Sequence, residues 1–249
     1  DITLVVGFDK ESVLEEAGNY NLNITSSLQP KLIGTGDAVR CGLDKVKDHS
    51  KVLVLYGDVP LIRKETLQNL IDSSDSGLSI LTTVLDKPFG YGRVKTNDNN
   101  EALEIVEEKD ATDEERQIQE IFTGVLCGSK TLIEEGLSKI TNNNATGEFY
   151  LTNLVSIING KGIRINTYKA SNDEVKGANS KQELEQLETT YRAMKAEDLF
   201  EKGITITDAS RLDVRGSVEC GRDCSIDVNV ILEGNIILGD NVSIGPNSI

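Results

Sequence analysis

At 249 residues and 27.1 kDa, the chain is long enough to bury a full core and to carry one large domain and a smaller one. Its 41 acidic residues against 26 lysines and arginines give a net charge of −15 and a pI near 4.6. That balance argues against binding nucleic acid or an anionic membrane through bulk electrostatics, so an anionic substrate must be held locally by a metal, a few lysines or backbone amides. No stretch is long and apolar enough to span a bilayer, the first residues do not read as a charged-then-apolar leader, and the expectation is a cytoplasmic protein.

From residue 1 to about 181, strand-like and helix-like segments alternate. Ile2 to Gly7 reads as a strand, Asp9 to Ala17 as a short polar helix, and Ile24 to Leu28 as a second strand. Gly34-Thr35-Gly36-Asp37 opens a helix that runs through Leu43. Val52 to Leu55 then reads as a fully buried strand, apolar on both faces. It stops on Tyr56-Gly57-Asp58-Val59-Pro60: Gly57 allows a sharp turn, Pro60 ends the ladder, and Asp58 is left at the carboxyl end of a central strand. In open α/β sheets that crevice is where ligands bind, and a carboxylate there can hold a divalent metal against phosphate oxygens. The competing reading of Asp58 is a simple cap on the helix that begins near Lys64, with apolar positions at Leu67, Leu70 and Ile71. Leu78 to Val84 is another buried strand. The rhythm predicts a mostly parallel, Rossmann-like sheet with helices on both faces, suited to nucleotides or sugars, and fold reasoning stops there.

From Lys181 to Phe200, apolar residues at helical spacing among many charges predict a long exposed connector helix, closed by Gly203. The tail repeats every six residues: Val214, Cys220, Ile226, Leu232, Leu238 and Ile244 hold one register, and Val218, Cys224, Val230, Ile236 and Val242 hold the register four residues on. Gly, Asp and Asn between them suit corners that need a compact or left-handed backbone. A period of six predicts a three-sided parallel β-helix, cut short after about two turns. Cys220 and Cys224, four apart, are a weak zinc signal; in this register they read as small inward-facing apolar groups, and Cys41 and Cys127 as free thiols.

Several stretches resemble one family collinearly over essentially the whole chain: Leu32-Ile33-Gly34-Thr35-Gly36, Leu55-Tyr56-Gly57-Asp58-Val59-Pro60-Leu61, Gly90-Tyr91-Gly92-Arg93 and Val106-Glu107-Glu108-Lys109-Asp110-Ala111-Thr112. They continue with Gln117 to Ile121, Thr141-Asn142-Asn143-Asn144-Ala145, Gly147-Glu148-Phe149-Tyr150-Leu151-Thr152 and Gly177-Ala178-Asn179, and then the hexad tail. The family is the bacterial bifunctional N-acetylglucosamine-1-phosphate uridylyltransferase / glucosamine-1-phosphate N-acetyltransferase. The resemblance implies a nucleotide-diphospho-sugar transferase domain over residues 1–181, a linker helix over 182–203 and the start of a left-handed β-helix over 204–249. It implies a Mg²⁺-dependent reaction of UTP with N-acetylglucosamine 1-phosphate to give UDP-N-acetylglucosamine and pyrophosphate, the sugar phosphate attacking the α-phosphorus in line. The complete protein would also acetylate glucosamine 1-phosphate from acetyl-CoA and form a homotrimer through the β-helix, in the service of cell-wall biogenesis.

By position in that resemblance, Asp58 and Asn179 are the protein ligands of Mg²⁺, which takes oxygen ligands and leans on substrate phosphates. Gln29, Gly34 and Thr35 correspond to the uracil pocket, Tyr56 and Gly57 line the same cleft, and Gly92 and Glu107 contact the sugar. Taken without the family, Glu107 reads as one surface acid in an acidic run with Glu108 and Asp110.

Three departures qualify the expectation. The family's opening Gly-rich segment, whose amides and basic residues neutralise the nucleotide phosphates, has no counterpart in the sequence, so no useful turnover is expected of the chain as written. Phe122 stands where the family has a substrate-touching Asn, and an aromatic ring cannot replace an amide's donor and acceptor. The later β-helix turns that carry acetyl transfer are absent. Two other readings therefore stay open: a non-catalytic sugar-nucleotide-binding or assembly fragment, and a hexapeptide acyltransferase whose α/β part only binds. The sequence argues against a dinucleotide-dependent dehydrogenase, because no G-x-G-x-x-G follows a first strand.

Overall fold

The computed structural model describes residues 1–249, the side chain of Ser76 excepted, and the chain divides into two compact units, Asp1–Val175 and Lys176–Ile249. In the first unit, β1 (Ile2–Val6) and β2 (Ile24–Leu28) form a parallel pair of their own around α1 (Lys10–Gly18). The chain continues through α2 (Thr35–Leu43), β3 (Lys51–Val54), α3 (Lys64–Ser73) and β4 (Leu78–Val84). It then runs through β5 (Arg93–Thr96), β6 (Ala102–Val106), β7 (Glu120–Ser129), α4 (Lys130–Leu137), α5 (Asn153–Asn159) and β8 (Ile165–Lys169).

The main sheet has six strands and is mixed, not mostly parallel. Only β4 and β8 pair in parallel; β7 runs antiparallel to β4 on one side and to β3 and β5 on the other. The βαβ rhythm is real for β3, β4 and β8, which share a direction, but β7 inserts between β3 and β4 against it. β7 is almost wholly buried, and its apolar run reads the same in either direction, so its sense is set by register with both neighbours. β3 differs from expectation too. Among the described residues it pairs with β7 alone, so Val52 to Val54 are half-buried and Leu55 is exposed. Asp58 thus follows a strand with one free edge.

The core divides across the sheet. One face packs Leu78, Ile80, Val94, Ile105, Phe122 and Leu126 under α4 and α5, and the other packs Leu81, Val125 and Cys127 against Leu70 of α3. Where β7 passes β4, Ile80 lies opposite Leu126 and Thr82 opposite Phe122, so β7 bulges at residues 123–125. Gly124 takes φ +87° within that bulge, a backbone that favours glycine.

The second unit begins with α6 (Lys181–Glu201), capped by Ser180, whose hydroxyl oxygen accepts the Glu183 N–H at 3.2 Å. Then come β9 (Thr205–Ile206), β10 (Leu212–Cys220), β11 (Ser225–Ile226), β12 (Val230–Leu238) and β13 (Ser243–Ile244). They stack in parallel. Leu212 lies beside Val230 and Ile226 beside Ile244, an offset of 18 residues, or three hexads. Corner residues share the offset: Asp223 and Asn241 (φ 54° and 58°), and Asn229 and Asn247 (φ 58° and 60°), are all left-handed. Both apolar registers point into one cluster with Ala196 and Leu199 of α6, where Cys224 is fully buried and Cys220 partly so.

Candidate active site

The loop ahead of α2 is built by close approach. Gly34 has φ +121°, and a Cβ there would lie 2.5 Å from the Phe149 carbonyl oxygen, so glycine is required on both counts. Phe149 N–H donates to Ile33 O and Gly36 N–H to Phe149 O, each at 2.8 Å, while Leu151 N–H donates to Thr35 Oγ1 at 3.1 Å. These bonds stitch residues 33–36 to 149–151. Gln29, buried at the end of β2, turns its amide NH₂ to Gly34 O and Asp37 Oδ2, both at 3.1 Å. Beside it lies a cavity of about 580 Å³ lined by Phe8, Leu28, Gln29, Pro30 and Leu32.

Tyr56 stands at the centre. Burial pushes its pKa up, with the Glu107 and Asp58 charges adding to the rise and the nearby Thr35 side chain opposing it. Its ring lies over Gly124 in the β7 bulge. The Glu107 and Asp58 carboxylates thus lie near enough to Tyr56 for both to raise its pKa. Asp58 is exposed, and among the described residues no hydrogen-bond donor or cation engages its carboxylate. An unengaged carboxylate fits a hard cation that prefers oxygen. No group of three or more His, Cys, Asp or Glu side chains capable of holding a metal occurs among the described residues, so a cation there would lean on ligand oxygens.

Gly92 and Glu107 meet at the mouth of the β5–β6 pair. A Cβ on Gly92 would lie 2.7 Å from Ile105 and 3.7 Å from the Glu107 carboxyl carbon. Glu107 accepts a hydrogen bond from Thr152 Oγ1 at 2.9 Å, and burial raises its pKa above the usual carboxylate range against that bond. It is thus a partly buried carboxylate and not one more surface acid. One residue beyond each, Arg93 and Glu108 form an ion pair at 2.6 Å, with the Arg93 side chain buried, fixing the spacing between Gly92 and Glu107.

Phe122 sits just inside. Its ring belongs to the apolar cluster with Ile105, Leu126 and Leu151, and its N–H donates to Gly92 O at 3.0 Å. The aromatic side chain is accommodated as core. Asn179 lies in the second unit, exposed, one residue ahead of the α6 cap, and its backbone N–H donates to Glu183 Oε2 at 2.7 Å.

The sequence gives no functional signal for Thr152, Asp37 or the Arg93–Glu108 pair. Thr152 meets Glu107 across 45 residues, a separation that no local spacing reveals.

Residues 1–128 match the family described as the MobA-like NTP transferase domain. The chain is 46% identical over 250 residues to the bifunctional protein GlmU of Methylococcus capsulatus, covering 99% of this chain and 54% of that protein. It is 40% identical over 250 residues to the bifunctional protein GlmU of Marinobacter nauticus, covering 100% of this chain and 55% of that protein. The chain spans about half the length of the curated relatives it matches. Among solved structures, a nucleoside-diphosphate-sugar pyrophosphorylase from Vibrio cholerae superposes with a TM-score of 0.56 at 14% identity, covering 74% of this chain and 79% of that one. HddC from Yersinia pseudotuberculosis gives 0.53 at 17% identity, covering 75% and 76%. At those identities the likeness is one of fold.

Proposed function

We propose that this chain, which belongs to the MobA-like NTP transferase domain family, is the nucleotide- and sugar-binding part of a uridylyltransferase. Its reaction joins UTP and N-acetylglucosamine 1-phosphate into UDP-N-acetylglucosamine and releases pyrophosphate. The observation that supports the reading is the buried Tyr56, set over Gly124, with the Glu107 and Asp58 carboxylates near enough for both to raise its pKa. The similarity to GlmU proteins supports the choice of substrates.

In this reading each residue has a task that its environment suits. Gln29 and the loop at Gly34 and Thr35 take the uracil, and Tyr56 and Gly57 form the wall between base and sugar. Glu107, held by Thr152, accepts bonds from sugar hydroxyls, and the Gly92 backbone lets the ring approach closely. Asp58 would hold Mg²⁺. When bound, Mg²⁺ supplies neutralisation of phosphate charge. The protein supplies position: holding the two phosphates at attacking distance accounts for much of such a barrier, because the transfer needs no covalent protein intermediate.

The stacked strands of the second unit, with their 18-residue offset and left-handed corners, support its reading as the start of a left-handed β-helix. Acetyl transfer from acetyl-CoA and trimer formation are proposed for the complete protein. The test is pyrophosphate release from UTP and N-acetylglucosamine 1-phosphate by a polypeptide that carries the Gly-rich segment ahead of Asp1. Mg²⁺-dependent release is expected, and release that prefers another nucleoside triphosphate or another sugar phosphate overturns the assignment.

A further inference from the structure

We infer that Asp37 is a positioning residue that fixes the Gln29 side-chain amide as a hydrogen-bond acceptor, and thereby makes the base site select a ring N–H over a bare ring nitrogen. The inference rests on the reading of Gln29 and the loop at Gly34 and Thr35 as the base site.

An amide offers one acceptor oxygen and two N–H donors, and nothing in the side chain itself decides which end faces a ligand. The surroundings of Gln29 decide it. Gly34 O and the Asp37 carboxylate can only accept, and each takes one hydrogen of Nε2 at 3.1 Å. Both donors are then consumed. Turning the amide over would set its oxygen against two other oxygens, which a buried side chain tolerates poorly. Gln29 is more than nine-tenths buried, and among the described residues nothing donates to its Oε1. That oxygen is the one acceptor the Gln29 side chain has left for a ligand, beside a hollow lined by Phe8, Leu28 and Leu32 together with Asp9, Lys10 and Glu11.

Asp37 is itself held. It lies in the first turn of α2, its side chain is 14% exposed, and Arg40 one turn on approaches it at 3.6 Å. Arg40 in turn donates to Leu137 O at 3.1 Å and lies 5.4 Å over the Phe149 ring. The amide orientation is therefore tied to the packing of α2. An acceptor held in one orientation matches the ring N–H of uracil. Cytosine presents a bare ring nitrogen there, so acceptor would face acceptor and the buried oxygen would stay unpaired.

The test is calorimetric titration of the full chain and of Asp37→Ala and Asp37→Asn with UTP and with CTP, each with thermal unfolding as a control. The native chain should prefer UTP. Asp37→Ala frees one N–H and should shrink the UTP:CTP affinity ratio about tenfold, the worth of one hydrogen bond. Asp37→Asn keeps an accepting oxygen and should restore most of the ratio. A ratio unchanged in Asp37→Ala, with UTP still bound, overturns the role of Asp37 and leaves the base site standing. A native chain that binds neither nucleotide, or both equally, overturns the base site and this inference together. Should Asp37→Ala fail to fold, hydrogen exchange at the Gln29 side-chain NH₂ in the native chain decides the matter. Both protons should stay protected with and without UTP; loss of protection overturns the inference.

Discussion

Gly124 lies so close beneath Tyr56 that a Cβ added to it would come within 2.4 Å of the ring. The bulge in β7 lies where the Tyr56 ring rests on bare backbone, and φ +87° at Gly124 disfavours other residues on conformational grounds as well. Gly124→Ala should therefore cost about 2 kcal/mol or more of stability from the left-handed backbone and the displaced ring together. It should also weaken UDP-N-acetylglucosamine binding more than its stability loss explains. Urea denaturation and calorimetry on the same samples separate the two effects.

Asp58 has the opposite character. With no partner among the described residues to lose, Asp58→Asn should shift stability by less than about 0.5 kcal/mol. The same substitution should abolish the Mg²⁺-dependent part of ligand binding. A titration of UDP-N-acetylglucosamine with and without Mg²⁺ reads the difference directly.

Glu174 is buried and accepts hydrogen bonds from Thr66 Oγ1 at 2.5 Å, Arg63 N–H at 3.1 Å and Ser171 Oγ at 3.0 Å, closing the start of α3 below the Asp58 loop. Burial pushes its pKa up, but those bonds outweigh burial and hold it below the usual carboxylate range. A carboxyl depressed on folding stabilises the fold fully above the unfolded-state value of about 4.3, and that contribution fades as pH falls through the lower folded value. Glu174→Gln should cost about 1–3 kcal/mol at neutral pH by leaving a buried donor unmet. It should also flatten the acid limb of the stability curve.

Glu107 carries the reverse sign. Its pKa is raised, by burial first, so the folded state holds a proton that the unfolded state releases, and stability falls as pH rises between the two values. Ligand binding runs against stability here, since sugar hydroxyls donate to the ionised carboxylate. Affinity for UDP-N-acetylglucosamine should drop as pH falls through the raised value in the native chain, and stay nearly level in Glu107→Gln. Calorimetry across that range checks both limbs.

In the second unit, Asn229 combines a left-handed backbone with a side-chain bond to Asn247 at 2.9 Å, 18 residues on. Asn229 Oδ1 also accepts from Arg211 Nε at 2.8 Å, so Asn229→Ala should cost about 1–2 kcal/mol from strain and the two lost bonds. Asn229→Gly should cost less, which thermal scans of the two variants resolve.

Much of this was legible in the sequence because the signals are local. The run into Asp58, the glycines around Thr35 and the six-residue period each sit within a few positions of one another; a strand, a helix start and strands stacked at an 18-residue offset lie at those places. The sense of β7 was not legible, since an apolar strand buried on both faces carries no mark of direction. Nor was the free edge of β3, whose residues look like those of a central strand. Glu107 was ambiguous for a different reason: an acidic run reads as solvated until Thr152 and the β5–β6 mouth come to it from elsewhere in the chain. Asp37 was invisible as a determinant, because its effect passes through the amide of Gln29.

The central claim is that the cleft around Tyr56 holds a uridine diphospho-sugar. Calorimetric titration of the chain with UDP-N-acetylglucosamine, with GDP-mannose as the competitor of different base and sugar, tests it most directly. The account predicts saturable one-to-one binding of UDP-N-acetylglucosamine that strengthens with Mg²⁺ and weakens in Glu107→Gln, and little binding of GDP-mannose. Equal binding of both, or no binding of the uridine compound by the folded chain, would contradict it.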